Sequence, residues 1–231
     1  MRGLVRLKPE EAAVVFDLIH ARRTVYRFQP MPLPAGVVEH LIEAATWAPN
    51  HRMTEPWRFV VVEGVAKEEL AELRGELARR RAEREGRGLD RVEAQVAEFR
   101  EPAVYLYLVQ QVEGDLVRQR EDYAACAIAA YIVQLAAWSI GIGVRWGTGL
   151  MATAPEVRRQ LGLGDNQEIV CFLGLGVPSD GQLGVGRRSD HLRFTRYLGR
   201  ADQIEPALAE LADDGAWLAR GLGLRRHPCF N

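Results

Sequence analysis

The chain has 231 residues, enough for one large domain or two small ones, and its 48% hydrophobic and 26% charged side chains are an ordinary globular balance. With 30 basic residues against 31 acidic ones, the net charge of -1 argues against a dedicated nucleic-acid binder, which would carry a basic surplus. Cys126, Cys171 and Cys229 are few, odd in number and widely spaced, a pattern of neither a zinc site nor a disulfide framework, so a reducing cytoplasm fits.

The N-terminal stretch from Arg2 to Glu11 is charged and lacks the apolar core of a secretory leader. Pro9 and Glu10 open a first helix whose Val15, Leu18, Ile19 and Arg22 share one face. It is expected to end near Arg22-Arg23-Thr24, with a short extended exit over Val25 to Phe28. A second helix starts at Pro34 and buries Val38, Leu41, Ile42 and Ala45. Pro49 then stops it, and Pro56 opens the aromatic and β-branched strand Trp57 to Val62. Between the prolines lies a polar loop, Asn50 to Glu55, held at both ends by apolar structure. Such a loop either presents chemistry to a ligand or simply bonds its own backbone through Asn50 and Thr54.

Lys67 to Arg100 reads as two charge-dense helices, one with Leu70, Leu73 and Leu77 as its stripe, the other with Leu89, Val92, Val96 and Phe99. Gly86 and Gly88 separate them. Glu76 with Arg80, and Glu83 with Arg87 if the helix persists past Gly86, are favourable pairs four apart. The excursion is either a solvated face or a mobile cover over a pocket. Ala103 to Val109 is apolar throughout and is expected to be a central strand. A long helix follows from Asp115 to Trp138, with Ala124, Ala127, Ile128, Tyr131, Leu135 and Trp138 on one face and alanines elsewhere. It serves either a dense monomer core or an interface packed on both sides. Tyr123 to Ile142 approaches membrane length, but Gln134, Ser139 and the nearby Asp122 point to a buried helix and no membrane.

Gly143 to Gly149 reads as a strand entering a glycine-rich loop, Glu156 to Leu161 as a short helix, and Glu168 to Leu175 as another apolar strand. Ser179 to Ser189 is irregular, Leu192 to Leu198 alternates like an edge strand or arm, and Glu205-Pro206 begins a last helix. With no repeat, low-complexity block or linker, residues 1–231 are expected to be a single domain. Its core covers about 10–200, followed by a C-terminal helix and tail over 201–231.

The sequence has no nucleophile elbow, zinc-protease helix motif or phosphate-binding Walker loop, and the glycines from Gly141 to Gly147 do not form a dinucleotide fingerprint. Four polar clusters remain: Arg22-Arg23-Thr24, Asn50 to Glu55, Arg145 to Thr148, and Arg187-Arg188. Two arginine pairs with a hydroxyl suit a phosphate, while glycine amides and a loop carboxylate suit the edge of a planar polar ring. Together they point to a phosphorylated aromatic cofactor.

These residues resemble the FMN-dependent nitroreductase family. Its motifs are matched in order by Arg22-Arg23-Thr24, by Ala48-Pro49-Asn50-His51 continuing to Glu55-Pro56-Trp57-Arg58-Phe59, and by Trp146-Gly147-Thr148-Gly149. The spacing is that of the shorter bacterial subgroup with a histidine in the loop, and the likeness covers roughly Phe16 to Leu198. It implies an α+β fold, a nitroreductase-like α/β sandwich whose central mixed, mainly antiparallel sheet is flanked by helices. It also implies an intertwined homodimer with FMN at the interface and ping-pong electron transfer from NAD(P)H to a small acceptor such as a nitroaromatic or quinone.

Carried across, Arg22 and Thr24 would bind the FMN phosphate and ribityl chain, with Arg23 beside them and Arg188 as a late phosphate contact. His51 and Glu55 would face the isoalloxazine edge, and Trp146, Gly147 and Thr148 would pass along the ring from the same or the partner subunit. The hydride step belongs to flavin N5, so no catalytic side chain is assigned; His51 is the titrating group near the ring. Several positions depart from the family. Met53 stands where many members have asparagine, Glu55 replaces the commoner glutamine, Gly147 stands where subgroup members can carry arginine, and Gly186 replaces a frequent basic residue. Alternatives within the resemblance are a flavin-storing module without turnover, flavin fragmentation and reductive dehalogenation.

Overall fold

A computed structural model describes residues 8–179, 186 and 188–194. The chain divides into two compact units, residues 1–22 with 185–231, and residues 23–184.

In the first unit the described helix α1 spans Pro9–Ala21. Pro9 occupies its first turn, and the Lys8 amide donates to Glu11 Oε2 at 2.7 Å. Arg22 closes it, its amide bonding Leu18 O at 3.0 Å. A 3-10 turn covers His191–Phe194, in place of the start of the edge strand or extended arm expected over Leu192 to Leu198. The rest of that expected arm, and the expected last helix and tail, lie outside the described residues.

The second unit is a helix-flanked sheet. Its elements are α2 (Val37–Ala45), a 3-10 turn (His51–Met53), β1 (Trp57–Val62), α3 (Gly64–Arg84), α4 (Val92–Arg100), β2 (Val104–Gln111) and α5 (Leu116–Ser139), followed by β3 (Gly143–Gly147), α6 (Leu150–Thr153), α7 (Pro155–Gln160) and β4 (Gln167–Gly176). The strands run in the order β1-β2-β4-β3, every neighbouring pair antiparallel. The described sheet is thus wholly antiparallel rather than mixed; the one parallel pairing among the described residues is an isolated bridge, Thr24 to Val144, outside the strands.

Alternation along the strands divides the core in two. Leu106, Leu108, Trp57, Val144 and Leu173 face α2 and α5. Tyr105, Tyr107, Val109, Val62 and Phe172 face α3, α6 and α7 on the other side, with Phe99 of α4 among them. β2 is buried along nearly its whole length, as its unbroken apolar run predicts for a central strand.

α5 is where packing departs from expectation. Its inward side is Asp122, Ala125, Cys126, Ala129, Ala130, Val133, Gln134 and Ala137. The stripe read from the sequence turns away from this core, leaving Ile128 and Tyr131 exposed. Alanines, not the larger residues, seat the helix on the sheet, because small side chains let a long helix approach closely. The loop expected after β3 also contains one further helical turn, α6, which buries Met151.

Candidate functional site

The Asn50–Glu55 loop joins α2 to β1, and its backbone is unusual. Arg52, Met53 and Glu55 have φ angles of 56°, 54° and 42°. The left-handed region brings Cβ close to the following carbonyl and costs an L-residue roughly 1–2 kcal/mol. Three such residues in one loop persist only where their surroundings over-determine them.

The holding contacts are specific. Asn50 Oδ1 accepts from the Glu55 amide at 3.1 Å, and Arg58 Nη1 donates to Glu55 O at 3.1 Å. Two adjacent acids of α5 take the rest. His51 Nδ1 lies 2.9 Å from Glu121 Oε2, and Thr54 Oγ1 donates to Asp122 Oδ1 at 2.6 Å. Asp122 is 1% exposed, and its second oxygen lies 3.5 Å from Arg118 Nε. The side chains of His51, Arg52, Met53 and Glu55 are exposed, so the loop offers polar groups outward, held by the buried Asp122 and by Glu121, which is itself exposed.

The Trp146–Thr148 stretch ends β3 at the opposite edge of the sheet. Trp146 packs on the α5 side of the core. Gly147 points to the other face, where a Cβ would collide with the ring of Phe172. Glycine there is a packing requirement, and an arginine at this position has no room while Phe172 fills the space. Thr24 bridges Val144 beside the same strand, so Arg23-Thr24 and Trp146-Gly147-Thr148 line one edge. Gly147 stands level with Phe172, Tyr107 and Val60 across the sheet. Three strand spacings, about 14 Å, therefore separate β3 from the strand that the His51–Glu55 loop enters. Arg22 and Arg188 belong to the first unit; Arg22 closes α1, and Arg188 is exposed three residues before the 3-10 turn.

Two groups escaped the sequence reading. The first is the Glu121–Asp122 anchor, whose only sequence signal is a pair of acids opening an alanine-rich helix. The second is a cationic cluster on the α3 side of the sheet, of which only Arg145 was singled out in the sequence, as part of Arg145 to Thr148. There Arg145 sits 5.6 Å from the Tyr26 ring centroid and 3.8 Å from Glu98 Oε2. Arg74 lies 5.9 Å from the Phe99 ring centroid, and its pKa is lowered, first by burial and also by the charge of Arg145. The hydroxyl of Tyr107 is buried beneath without a hydrogen-bond partner, and burial pushes its pKa up.

Neither described cysteine suits nucleophilic work. Burial raises the Cys126 thiol to about 12, and Cys171 is shifted upward for the same reason. Among the described residues no group of three or more His, Cys, Asp or Glu could hold a metal, and no helix is long and apolar enough to cross a membrane.

The profile of the Nitroreductase family matches residues 19–177. The candidate NAD(P)H nitroreductase YfhC of Bacillus subtilis (strain 168) is 31% identical over 189 residues, 79% of this chain and 94% of that protein. Iodotyrosine deiodinase 1 of Rattus norvegicus is 27% identical over 190 residues, covering 77% of this chain and 65% of its own. A solved nitroreductase with bound FMN from Bacteroides fragilis superimposes with a TM-score of 0.64 over 80% of this chain and 98% of its own, at 24% identity. The ordered motifs, the helix-flanked sheet and these matches lead to one conclusion: the chain belongs to the nitroreductase family, and it is an oxidoreductase of that type.

Proposed function

We propose that the protein is an FMN-dependent NAD(P)H oxidoreductase that reduces small acceptors, nitroaromatics or quinones, by a ping-pong mechanism. The observation that carries this reading is the strained, outward-facing His51–Glu55 loop, pinned by Glu121 and the buried Asp122 at the place where the family motif falls. Strain of this kind is retained where a backbone must present groups in one geometry. The FMN named in the Bacteroides fragilis structure and the NAD(P)H in the description of YfhC support the choice of cofactor and donor.

The residues present suit FMN. Arg22, Arg23, Thr24 and Arg188 supply the cations and hydroxyl that a phosphate and ribityl chain require. His51 and Glu55 offer polar contacts to a ring edge, and the short side chains from Gly147 to Gly149 allow a planar group to approach the backbone. FMN would supply hydride acceptance and return; the protein binds, orients and limits water.

The two halves of the ring site lie at opposite edges of one sheet, which favours a site shared between two copies of the chain. A homodimer is therefore part of the reading. So is the exposed stripe of α5, with Leu116 70%, Val117 64% and Tyr123 49% exposed beside Ile128 and Tyr131. Residues 1–231 are taken to work as one functional domain of each subunit, in the cytoplasm.

The absorption spectrum of the purified protein is the direct test. A flavin spectrum is expected, releasing FMN on heating, bleached by NADH or NADPH without oxygen and restored by a quinone. FAD, or a colourless protein that takes up no FMN, would sink the reading; a yellow protein that neither pyridine nucleotide bleaches would point to flavin storage. The deiodinase relative gives one competitor, reductive dehalogenation. Halide release from an iodinated phenol by the reduced protein, with no turnover of quinones, would favour it.

A further inference from the structure

We infer that Asp122 and Glu121 of α5 are positioning residues that hold the His51–Glu55 loop in its left-handed, flavin-facing conformation; this rests on the flavin reading above. The loop buries little of itself. His51, Arg52, Met53 and Glu55 are exposed, and Met53 keeps 76% of its surface in solvent. Hydrophobic packing therefore does not fix the strained backbone, and polar contacts must.

The contacts converge on two consecutive residues of one helix. Glu121 meets His51 at the start of the loop, and Asp122 meets Thr54 near its end, so the left-handed residues Arg52 and Met53 are bracketed between two anchored neighbours. Asp122 is suited to the task because it is buried and its carboxylate is already oriented by Arg118 on the same helix. A short hydrogen bond from a neutral hydroxyl to a buried carboxylate is directional and resists exchange with water. Thr54 belongs to neither hydrophobic core, so loss of its hydroxyl is expected to free the loop before it disturbs the sheet.

The test compares Thr54→Val, which removes the hydroxyl at nearly constant volume, with Thr54→Ser, which keeps it, and with Asp122→Asn. Two readouts apply. The rate of tryptic cleavage at the Arg52–Met53 bond, followed by mass spectrometry on the flavin-free protein, reports the loop itself. The FMN dissociation constant and the visible circular dichroism of the bound flavin report its presentation.

Thr54→Val and Asp122→Asn are expected to cleave faster at Arg52, to bind FMN roughly tenfold more weakly and to change the flavin dichroism, while Thr54→Ser stays near the parent. The inference is overturned by unchanged cleavage in both variants, or by faster cleavage with FMN affinity and dichroism intact. A parent protein that takes up no FMN would overturn the flavin reading, and the cleavage comparison would still decide whether the acids hold the loop.

Discussion

Arg22 is the residue on which the cofactor reading can be tested most simply. If it grips the FMN phosphate, Arg22→Ala should loosen FMN by roughly ten- to a hundredfold, since a hydrogen bond to a charged group is worth about 1.5–3 kcal/mol. Lysine should restore only part, because a point charge lacks the planar fork. If Arg22 serves only the C-terminus of α1, which its amide closes, the variant will melt slightly earlier and bind FMN like the parent; titrating FMN into both apoproteins decides. At this scale the sequence exposes the motif residues but not their geometry. Nothing in Arg52, Met53 or Glu55 announces a left-handed backbone, since chirality points to glycine or asparagine for that role. Asp122 was equally hidden, because its partner Thr54 lies 68 positions earlier in the chain. Gly147 was visible as a departure from the family, but its cause, the ring of Phe172 on a neighbouring strand, was not.

Among the described elements, periodicity placed the four sheet strands within a few residues and the main helices nearly as well. The misses have local causes. α2 starts at Val37 and not Pro34, because the chain first makes a turn at Ala35–Gly36. α3 stops at Arg84, so the condition for a Glu83–Arg87 pair, a helix running past Gly86, is not met and Arg87 pairs with Glu85 at 3.2 Å, whereas Glu76 and Arg80 do pair. The outward turn of the α5 stripe was not legible, since an alanine-rich helix offers several apolar faces and only tertiary packing selects one. Its start was legible. Asp115 Oδ1 accepts from the amides of Val117 and Arg118, both at 3.0 Å, so it caps the helix that carries the loop anchors. Asp115→Ala is expected to cost about 0.5–2 kcal/mol, read as an earlier urea midpoint with an unchanged slope. An unshifted midpoint would show that the cap contributes nothing.

For the whole molecule, the flavin reading expects two copies. Light scattering at micromolar concentration should give twice the chain mass, and Ile128→Glu with Tyr131→Glu on the exposed stripe of α5 should shift it toward the monomer. A monomeric parent would remove the shared-site argument. The strand order β1-β2-β4-β3 bears on something else, the order of events during synthesis. β2, buried on both faces, is flanked by β1, made earlier, and by β4, whose first residue Gln167 follows Gln111 only after the whole of α5, β3, α6 and α7. Until β4 emerges, one apolar edge of β2 stands unpaired, while α5 can already pack on α2, β1 and β2. Pairing over such a distance is slow to form and open to wrong partners. The vulnerable period of this protein's biogenesis therefore lies between the emergence of β2 and that of β4.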